Sequence, residues 1–143
     1  MAYTISKVQV WVGDIPNRPG TLARVLEGLS GAGACLEFLI ARKLDDATSR
    51  VFVAPLKTAN QKQAAANVGL SLADMNSIRI EGPDRPGLGA QLSRAVADAG
   101  VNIRGASAAA LGKRAVFYLA FDSPADAKKA AAVLRKALAP RKR

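Results

Sequence analysis

The chain has 143 residues, enough for one ordinary domain or two small ones, and half of them are hydrophobic. It carries 21 Lys and Arg residues against 11 Asp and Glu residues, a net charge of +10, with one Cys and no His. The lack of His excludes the common Ser-His-Asp and Cys-His hydrolase centres, and a single Cys excludes an internal disulfide. The acidic residues are scattered, and the sequence has neither a Cys cluster nor a P-loop. We therefore predict no catalytic residue, no metal site and no cofactor, and hence a protein that is not an enzyme.

The sequence also carries no continuous apolar stretch of membrane-spanning length. Its N-terminal residues, MAYTISKVQVW, lack the charged-then-apolar pattern and small-residue cleavage site of a signal peptide. The lone Cys35 suits a reducing compartment. These features predict a cytoplasmic protein without a membrane segment.

The first half of the chain predicts a strand, a helix, two strands and a second helix. Residues 4–12 contain alternating apolar residues in their second half, which is typical of a strand. The turn GDIPNRPG is followed by apolar residues at the spacing of one helical face: Leu22, Val25, Leu26 and Leu29. Two strands follow, ACLEFLIARK and RVFVAPL, separated by the turn DDATS. The segment TANQKQAAANVG is a weaker helix, with Thr58 as its N-cap and Gly69 as its end.

The second half predicts the same order of elements. SIRIEG is a strand, PDRPG a turn, and residues 88–99 a helix that ends at Gly100. VNIRGASAAAL and RAVFYLAF are the next two strands. The last helix has Ser123 as N-cap, Pro124 in its first position and Asp126 where a carboxylate supports the cap, and it ends before Pro140.

Two copies of strand–helix–strand–strand–helix predict an α+β fold of two ferredoxin-like units, residues 1–76 and 77–143, each an antiparallel sheet with its helices on one face. A complete unit needs a fourth strand. The segment LSLADM is a weak candidate in the first copy, and only APRKR follows the last helix of the second. We therefore expect the copies to share or exchange strands, or two chains to pair as a homodimer.

The turn between the first strand and the first helix of each copy contains Arg-Pro-Gly, and we call residues 16–22 the first elbow and residues 83–89 the second elbow. Proline has no N–H to lose in a first helical turn, and glycine leaves the neighbouring amides open. Open amides at a helix N-terminus suit a carboxylate, and Asn17 or Asp84 can cap the helix or meet an ammonium group. This chemistry fits an amino acid. The alternative is that Pro-Gly serves only as a turn, copied by duplication.

The segments NRPGTLARVLEGLSGAGACLEF and DRPGLGAQLSRAVADAGVNI resemble the ACT domain, a regulatory module of amino-acid metabolism. The resemblance covers nearly the whole chain as two ACT units. It implies a non-catalytic, allosteric protein that binds an amino acid between the first turn of one unit and the second strand of its neighbour. It also implies a separate regulated enzyme, since this sequence has no room for one.

Carried over residue by residue, the resemblance implies two ligand-binding sites of unequal strength. The first would place one segment of each unit against the other: Asn17, Arg18, Gly20, Thr21 and Leu22 against Val101, Asn102 and Ile103. The second, weaker site would likewise use two segments: Asp84, Gly87, Leu88 and Gly89 against Ala34, Cys35 and Leu36. The first is favoured because the Asn102 amide can both donate and accept, whereas its counterpart Cys35 bonds weakly, and because Gly89 removes the apolar wall that Leu22 supplies.

RNA recognition is the alternative function, since RNA-recognition motifs use the same order of elements and display aromatic residues on a central strand. GKRAVFYLAF lies in the comparable strand, and the chain from Lys113 onward is strongly basic. However, Phe117, Leu119 and Phe121 share one strand face, which we expect to pack on the helices, leaving Tyr118 alone on the other. We read the basic residues as a solvated helix face and a basic tail, and expect neither nucleic acid nor membrane as a partner.

Overall fold

The computed structural model describes residues 3–140, in which four helices and two four-stranded sheets form two compact units. The strands and helices are, in chain order: β1 (Thr4–Val8), β2 (Trp11–Pro16), α1 (Thr21–Gly31), β3 (Phe38–Lys43), β4 (Thr48–Ala54), α2 (Ala59–Asn67), β5 (Ser71–Leu72), β6 (Ser77–Pro83), α3 (Leu88–Asp98), β7 (Gly105–Leu111), β8 (Arg114–Ala120) and α4 (Pro124–Ala137). The predicted tail residues Arg141, Lys142 and Arg143 lie outside the described part of the chain.

The first unit, residues 9–74, is an antiparallel sheet in the order β3-β4-β2-β5 with α1 and α2 packed on it. Its core joins alternate residues of β2 and β4 to the inward faces of the two helices: Trp11, Ile15, Val25, Leu29, Val51, Val53, Leu56, Ala65 and Leu70. Burial of alternate strand residues places one sheet face against the helices, as the ferredoxin-like fold requires.

The second unit, residues 3–8 with 75–140, is an antiparallel sheet in the order β1-β6-β8-β7 with α3 and α4 packed on it. The largest side chains of its core come from β6, α3, α4 and the end of β8: Ile78, Ile80, Leu92, Phe121 and Leu134, each at most 1% exposed. The predicted α+β fold of two ferredoxin-like units is thereby confirmed.

The fourth strand of the second unit is β1, from the start of the chain. The prediction of one strand over residues 4–12 in the first unit is wrong, because that stretch divides at Gln9 and its first part pairs with β6. Strand sharing between the two copies is confirmed for this sheet. In the first unit the weak segment LSLADM contributes only β5, two residues long. The units predicted from sequence, 1–76 and 77–143, differ from the compact units chiefly in these first residues.

β1 is fixed to β6 by an aromatic ring seated on a glycine. A Cβ on the buried Gly82 would collide with ring atoms of Tyr3, so the absence of a side chain makes the seat. The Tyr3 hydroxyl donates a 2.6 Å hydrogen bond to the carbonyl of Pro83. Ile5 lies opposite Ile80 and packs on the core of the unit. These contacts explain why a segment distant in sequence fills the open edge of β6.

Two helices are capped by the residues that the sequence predicts, and two are not. Thr58 accepts from the Gln61 amide, and Ser123 accepts from the Asp126 amide, as expected. By contrast, α1 and α3 begin at glycines in the left-handed conformation with no side-chain cap. The prediction that Asn17 or Asp84 caps a helix is therefore wrong. The proline of each Arg-Pro-Gly, Pro19 or Pro86, directly precedes the capping glycine and lies outside the first helical turn.

Several strand bounds also differ from the sequence-based ones. β2 continues to Pro16, through residues expected to form a turn. Residues 34–37 and 101–104 were expected to begin strands, but β3 begins at Phe38 and β7 at Gly105. Both stretches directly follow a helix end, and their backbones return the chain to the sheet before pairing begins.

On β8, the expected division of side chains between two faces is confirmed. Leu119 and Phe121 are buried in the core, and Phe117 packs against it. Tyr118 is absent from that core cluster, yet it is only 6% exposed. A buried ring is not displayed for base stacking, so the structure does not support the RNA-recognition alternative.

We predict that Gly82→Ala lowers the free energy of unfolding by about 1–3 kcal/mol, since the new methyl group displaces the Tyr3 ring from its seat. Gly89→Ala is the matched control. Its Cβ would lie 3.6 Å from the Phe117 ring, an ordinary contact, and alanine raises helix propensity by about 0.5–1 kcal/mol. Urea denaturation measures the free energy of unfolding of both variants. In a Tyr3→Ala background, Gly82→Ala should lower the free energy of unfolding by less. An equal loss with and without the Tyr3 ring would contradict the packing of this ring on Gly82.

Candidate ligand-binding site at the first elbow

The first elbow turns from β2 into α1 through short local hydrogen bonds. The amide of Arg18 donates to the carbonyl of Pro16 at 3.0 Å. The Thr21 hydroxyl lies 2.7 Å from that carbonyl and 3.0 Å from the carbonyl of Arg18. Gly20, the N-cap residue, has φ +91°, a conformation that side chains disfavour. These bonds occupy carbonyl groups and leave helix amides unused.

The first amides of α1 are open. Thr21 donates a long bond of 3.4 Å to the Arg18 carbonyl, and Arg24 donates to Gly20. Within residues 3–140, the amides of Leu22 and Ala23 have no acceptor. Because the helix dipole adds partial positive charge at this end, the open amides favour a bound anion.

A cavity of about 440 Å³ adjoins the elbow. Its lining comes from β2, the elbow, the first turns of α1 and the end of α2: Asp14, Ile15, Pro16, Arg18, Pro19, Gly20, Thr21, Arg24, Val25 and Val68. The volume is that of a small-molecule pocket, and all of its walls belong to the first unit.

Asp14 contributes its backbone to this cavity, and its carboxylate points elsewhere. Ile15 is buried on the helix side of the sheet, so the side chain of Asp14 lies on the opposite face. There it meets Arg50, its cross-strand partner, at 2.7 Å. Since Val10 accepts from the Ala73 amide on the β5 side, Asp14 directs its own N–H and carbonyl to that side too. β5 is too short to reach them.

The cavity therefore combines an acceptor carbonyl with two cations, and it adjoins the first turn of α1, where the open amides lie. Within the described residues, the guanidinium groups of Arg18 and Arg24 have neither an ion pair nor a hydrogen-bond partner. The Asp14 carboxylate does not offset them, because Arg50 already holds it. The hydrogen bond from Arg50 also keeps the pKa of Asp14 below its ordinary value.

The second elbow repeats the backbone geometry but is more completely filled. The amide of Asp84 donates to the Lys113 carbonyl at 2.8 Å, as that of Asn17 donates to Ala47 at 2.9 Å. Leu88, the first residue of α3, is only 2% exposed. The Phe117 ring packs over Gly89, in the space that a larger side chain would use. Side chains of its own unit thus occupy part of this elbow.

Three of the five elbow residues predicted for the first site lie on the cavity: Arg18, Gly20 and Thr21. Asn17 does not, since its amide donates to the Asp46 carbonyl and its oxygen accepts from Ser49. Leu22 packs against the core of the first unit. Asn17 is therefore committed to the β3–β4 turn, where it holds the hairpin against the elbow.

The remaining residues of the predicted first site lie in the second unit. Val101 is buried in its core and Ile103 packs against that core, so neither side chain is available to a ligand. Asn102 is exposed, and its side chain makes no hydrogen bond with any residue between 3 and 140. Its assignment to the ligand stays a prediction.

The residues predicted for the weaker site are also divided between the units. Asp84, Gly87, Leu88 and Gly89 form the second elbow. Ala34 and Leu36 line an apolar cavity of about 310 Å³ in the first unit, with Leu26, Leu29, Ser30, Glu37, Phe38 and Leu39. Cys35 is exposed. The pairing of these two segments stays a prediction.

Sequence reasoning missed Arg24, Val25, Val68 and the backbone of Asp14 as parts of the cavity. Helical spacing points to one of them, since Arg24 lies four residues after the N-cap Gly20, on the same helix face. No local pattern identifies Val68 or Asp14, because α2 and the uncovered edge of β2 reach the elbow only in the folded unit.

In residues 3–140 no three His, Cys, Asp or Glu side chains are grouped as ligands for a metal ion. No helix in the same range combines the length and the apolar character needed to cross a bilayer.

The sequence profile of the ACT domain family matches residues 76–139. The matched segment is similar to an ACT domain. It runs from β6 to α4, and β1 supplies the fourth strand of its sheet. The first unit has the same order of elements around the first elbow.

Solved structures share the fold of the whole chain. Protein BT0572 from Bacteroides thetaiotaomicron has a TM-score of 0.78 at 17% identity, covering 92% of this chain and 89% of that one. The regulatory subunit of aspartate kinase from Thermus thermophilus, in its ligand-free form, has a TM-score of 0.68 at 20% identity, covering 96% and 97%. The regulatory subunit of aspartate kinase from Thermus flavus has a TM-score of 0.60 at 19% identity, covering 96% of this chain and 97% of that one. Among curated protein sequences there is no significant match.

We predict that the Asp14 carboxyl titrates below its usual range and that Arg50→Gln raises its pKa, measured by NMR. A lowered pKa in the folded state adds stability above the unfolded-state value of about 3.9, and this stability is lost as the pH falls through the folded value. The difference in stability between the parent and Asp14→Asn should therefore narrow between about pH 5 and pH 2. An unchanged Asp14 pKa in Arg50→Gln would contradict the pairing.

Proposed function

We propose that the chain is a non-catalytic regulatory protein that senses an amino acid at the cavity of the first elbow. The observation that carries the proposal is the set of open amides at the start of α1, next to a cavity whose one acidic lining residue, Asp14, directs its carboxylate to the other face of the sheet. A helix start of this kind attracts a carboxylate, and the size of the cavity suits a small molecule.

The groups around the cavity match an amino acid in chemistry. The amides of Leu22 and Ala23 would receive the α-carboxylate. The carbonyl of Asp14, left without a strand partner, would accept from the ammonium group. Val25 and Val68 provide apolar wall for the carbon atoms of the ligand. This assignment replaces the sequence-based role of Asn17.

The regulatory role rests on the match to the ACT domain family and on the structural similarity to regulatory subunits of aspartate kinase. We infer that the first unit is a second ACT copy and that the chain works as a homodimer in the cytoplasm. We also infer that it regulates a separate enzyme, whose activity changes when the ligand binds. A ligand that binds one arrangement more tightly than another shifts the population towards it by its differential affinity.

The proposal predicts that one or a few of the twenty amino acids raise the melting temperature, because a ligand of the native state stabilises it by mass action. Gly20→Ala should abolish that shift. Gly87→Ala is the matched control, since both glycines are left-handed N-caps, at φ +91° and +83°, and a Cβ on either meets no neighbouring atom. Each variant should cost about 1–2 kcal/mol in backbone strain. An equal loss of binding in Gly20→Ala and Gly87→Ala would contradict the assignment of the binding site to the first elbow.

Asn102 is tested separately, because its role comes from the sequence resemblance alone. If its amide contacts the ligand, Asn102→Ala abolishes or strongly reduces the thermal shift while leaving the unliganded melting temperature unchanged, as an exposed side chain without internal bonds should. An undiminished shift would remove Asn102 from the site and leave the elbow as the whole of it.

A further inference from the structure

The two elbows differ at one pair of positions that controls their charge. A spacing of 67 residues relates them, so that Arg18 matches Arg85 and Arg24 matches Gln91. Both elbows thus carry an arginine before the Pro-Gly, but only the second has a neutral acceptor one helical turn after the N-cap glycine.

In the second elbow the arginine is satisfied within its own unit. The guanidinium of Arg85 donates to the side-chain oxygen of Gln91. The side-chain nitrogen of Gln91 donates in turn to the carbonyl of Ala137 in α4, at 3.1 Å. The second elbow thus holds its arginine with hydrogen bonds from its own unit.

In the first elbow the glutamine is replaced by a second cation. Elsewhere, Arg50, Arg79, Arg94 and Arg114 form ion pairs, and Arg135 donates to a carbonyl. Within residues 3–140, the arginines left without a partner are Arg18, Arg24 and Arg42. Two of these three line the same cavity. Like charges directed at one space repel each other, and an anion between them relieves the repulsion.

We propose that the first elbow selects an amino acid with a second carboxylate, in its side chain. This inference rests on the proposed function and specifies its ligand class. The α-carboxylate lies on the amides of α1, and the side-chain carboxylate lies between Arg18 and Arg24. A neutral amino acid leaves both guanidinium groups uncompensated, and a basic one adds a third cation.

Aspartate and glutamate can be compared with asparagine and glutamine, which match them in size and differ in charge. Titration calorimetry at low salt should show the acidic members binding about tenfold more tightly or better, the usual gain from a charge-assisted hydrogen bond. The preference should shrink as salt is added, since exposed charges are screened.

Arg24→Gln recreates the pair found in the second elbow and allows the new glutamine to accept from Arg18. It should remove most of the preference for the acidic member of each pair. Arg42→Gln is the matched control, because it removes one equally unpaired arginine that does not line the cavity and should keep the preference. Melting temperatures confirm that both variants fold.

Two other results overturn the inference in distinguishable ways. If neutral amino acids bind as tightly as acidic ones, and Gly20→Ala abolishes their binding, the ligand class is wrong and the proposed function stands. If none of the twenty amino acids binds, the proposed function falls and the inference falls with it. Equal losses of preference in Arg24→Gln and Arg42→Gln would show a general charge effect, which also contradicts the inference.

Discussion

The structure depends on how each copy of the repeat passes from its first strand into its first helix. A helix start exposes amides that must find acceptors, and side chains supply them at Thr58 and Ser123. At Gly20 and Gly87 the chain uses a left-handed glycine, which turns sharply and provides no acceptor. The compact turn and the open amides are two results of the same residue choice, so the geometry that forms the fold also forms the candidate binding surface.

A second constraint is that each sheet needs four strands, while the second copy of the sequence supplies three. β1 completes that sheet, held by the Tyr3 ring on Gly82 and by its register opposite β6. The segment that matches the ACT domain family, residues 76–139, therefore depends on a strand from the start of the chain to complete its sheet. In the first unit, the short β5 leaves the far end of β2 uncovered, and the carbonyl of Asp14 next to the elbow has no hydrogen-bond donor among residues 3–140.

The two elbows share a backbone geometry, and a few residue differences separate their chemistry. Gly89 admits the Phe117 ring, and Gln91 binds Arg85, so the second elbow is satisfied by its own unit. In the first elbow, Leu22 and Arg24 stand at the matching positions, and the guanidinium groups of Arg18 and Arg24 have no partner among residues 3–140. A surface that internal groups do not satisfy is the one able to respond to a ligand, which is why we place sensing there.

The helices, most of the strands and the repeat could be predicted from the sequence, because the spacing of apolar residues, the capping residues and the glycines act on neighbouring residues in the chain. Helices α1 to α4, the caps at Thr58 and Ser123, and the inward face of β8 all follow from neighbours in the chain. The repeated Arg-Pro-Gly also identified the two elbows as candidate ligand-binding turns. Only the tertiary structure decided which sheet β1 joins, since strand pairing depends on an open edge elsewhere. It likewise directed Asn17 to a hairpin and brought Val68 and the backbone of Asp14 to the cavity, because such contacts form between segments that no local pattern connects.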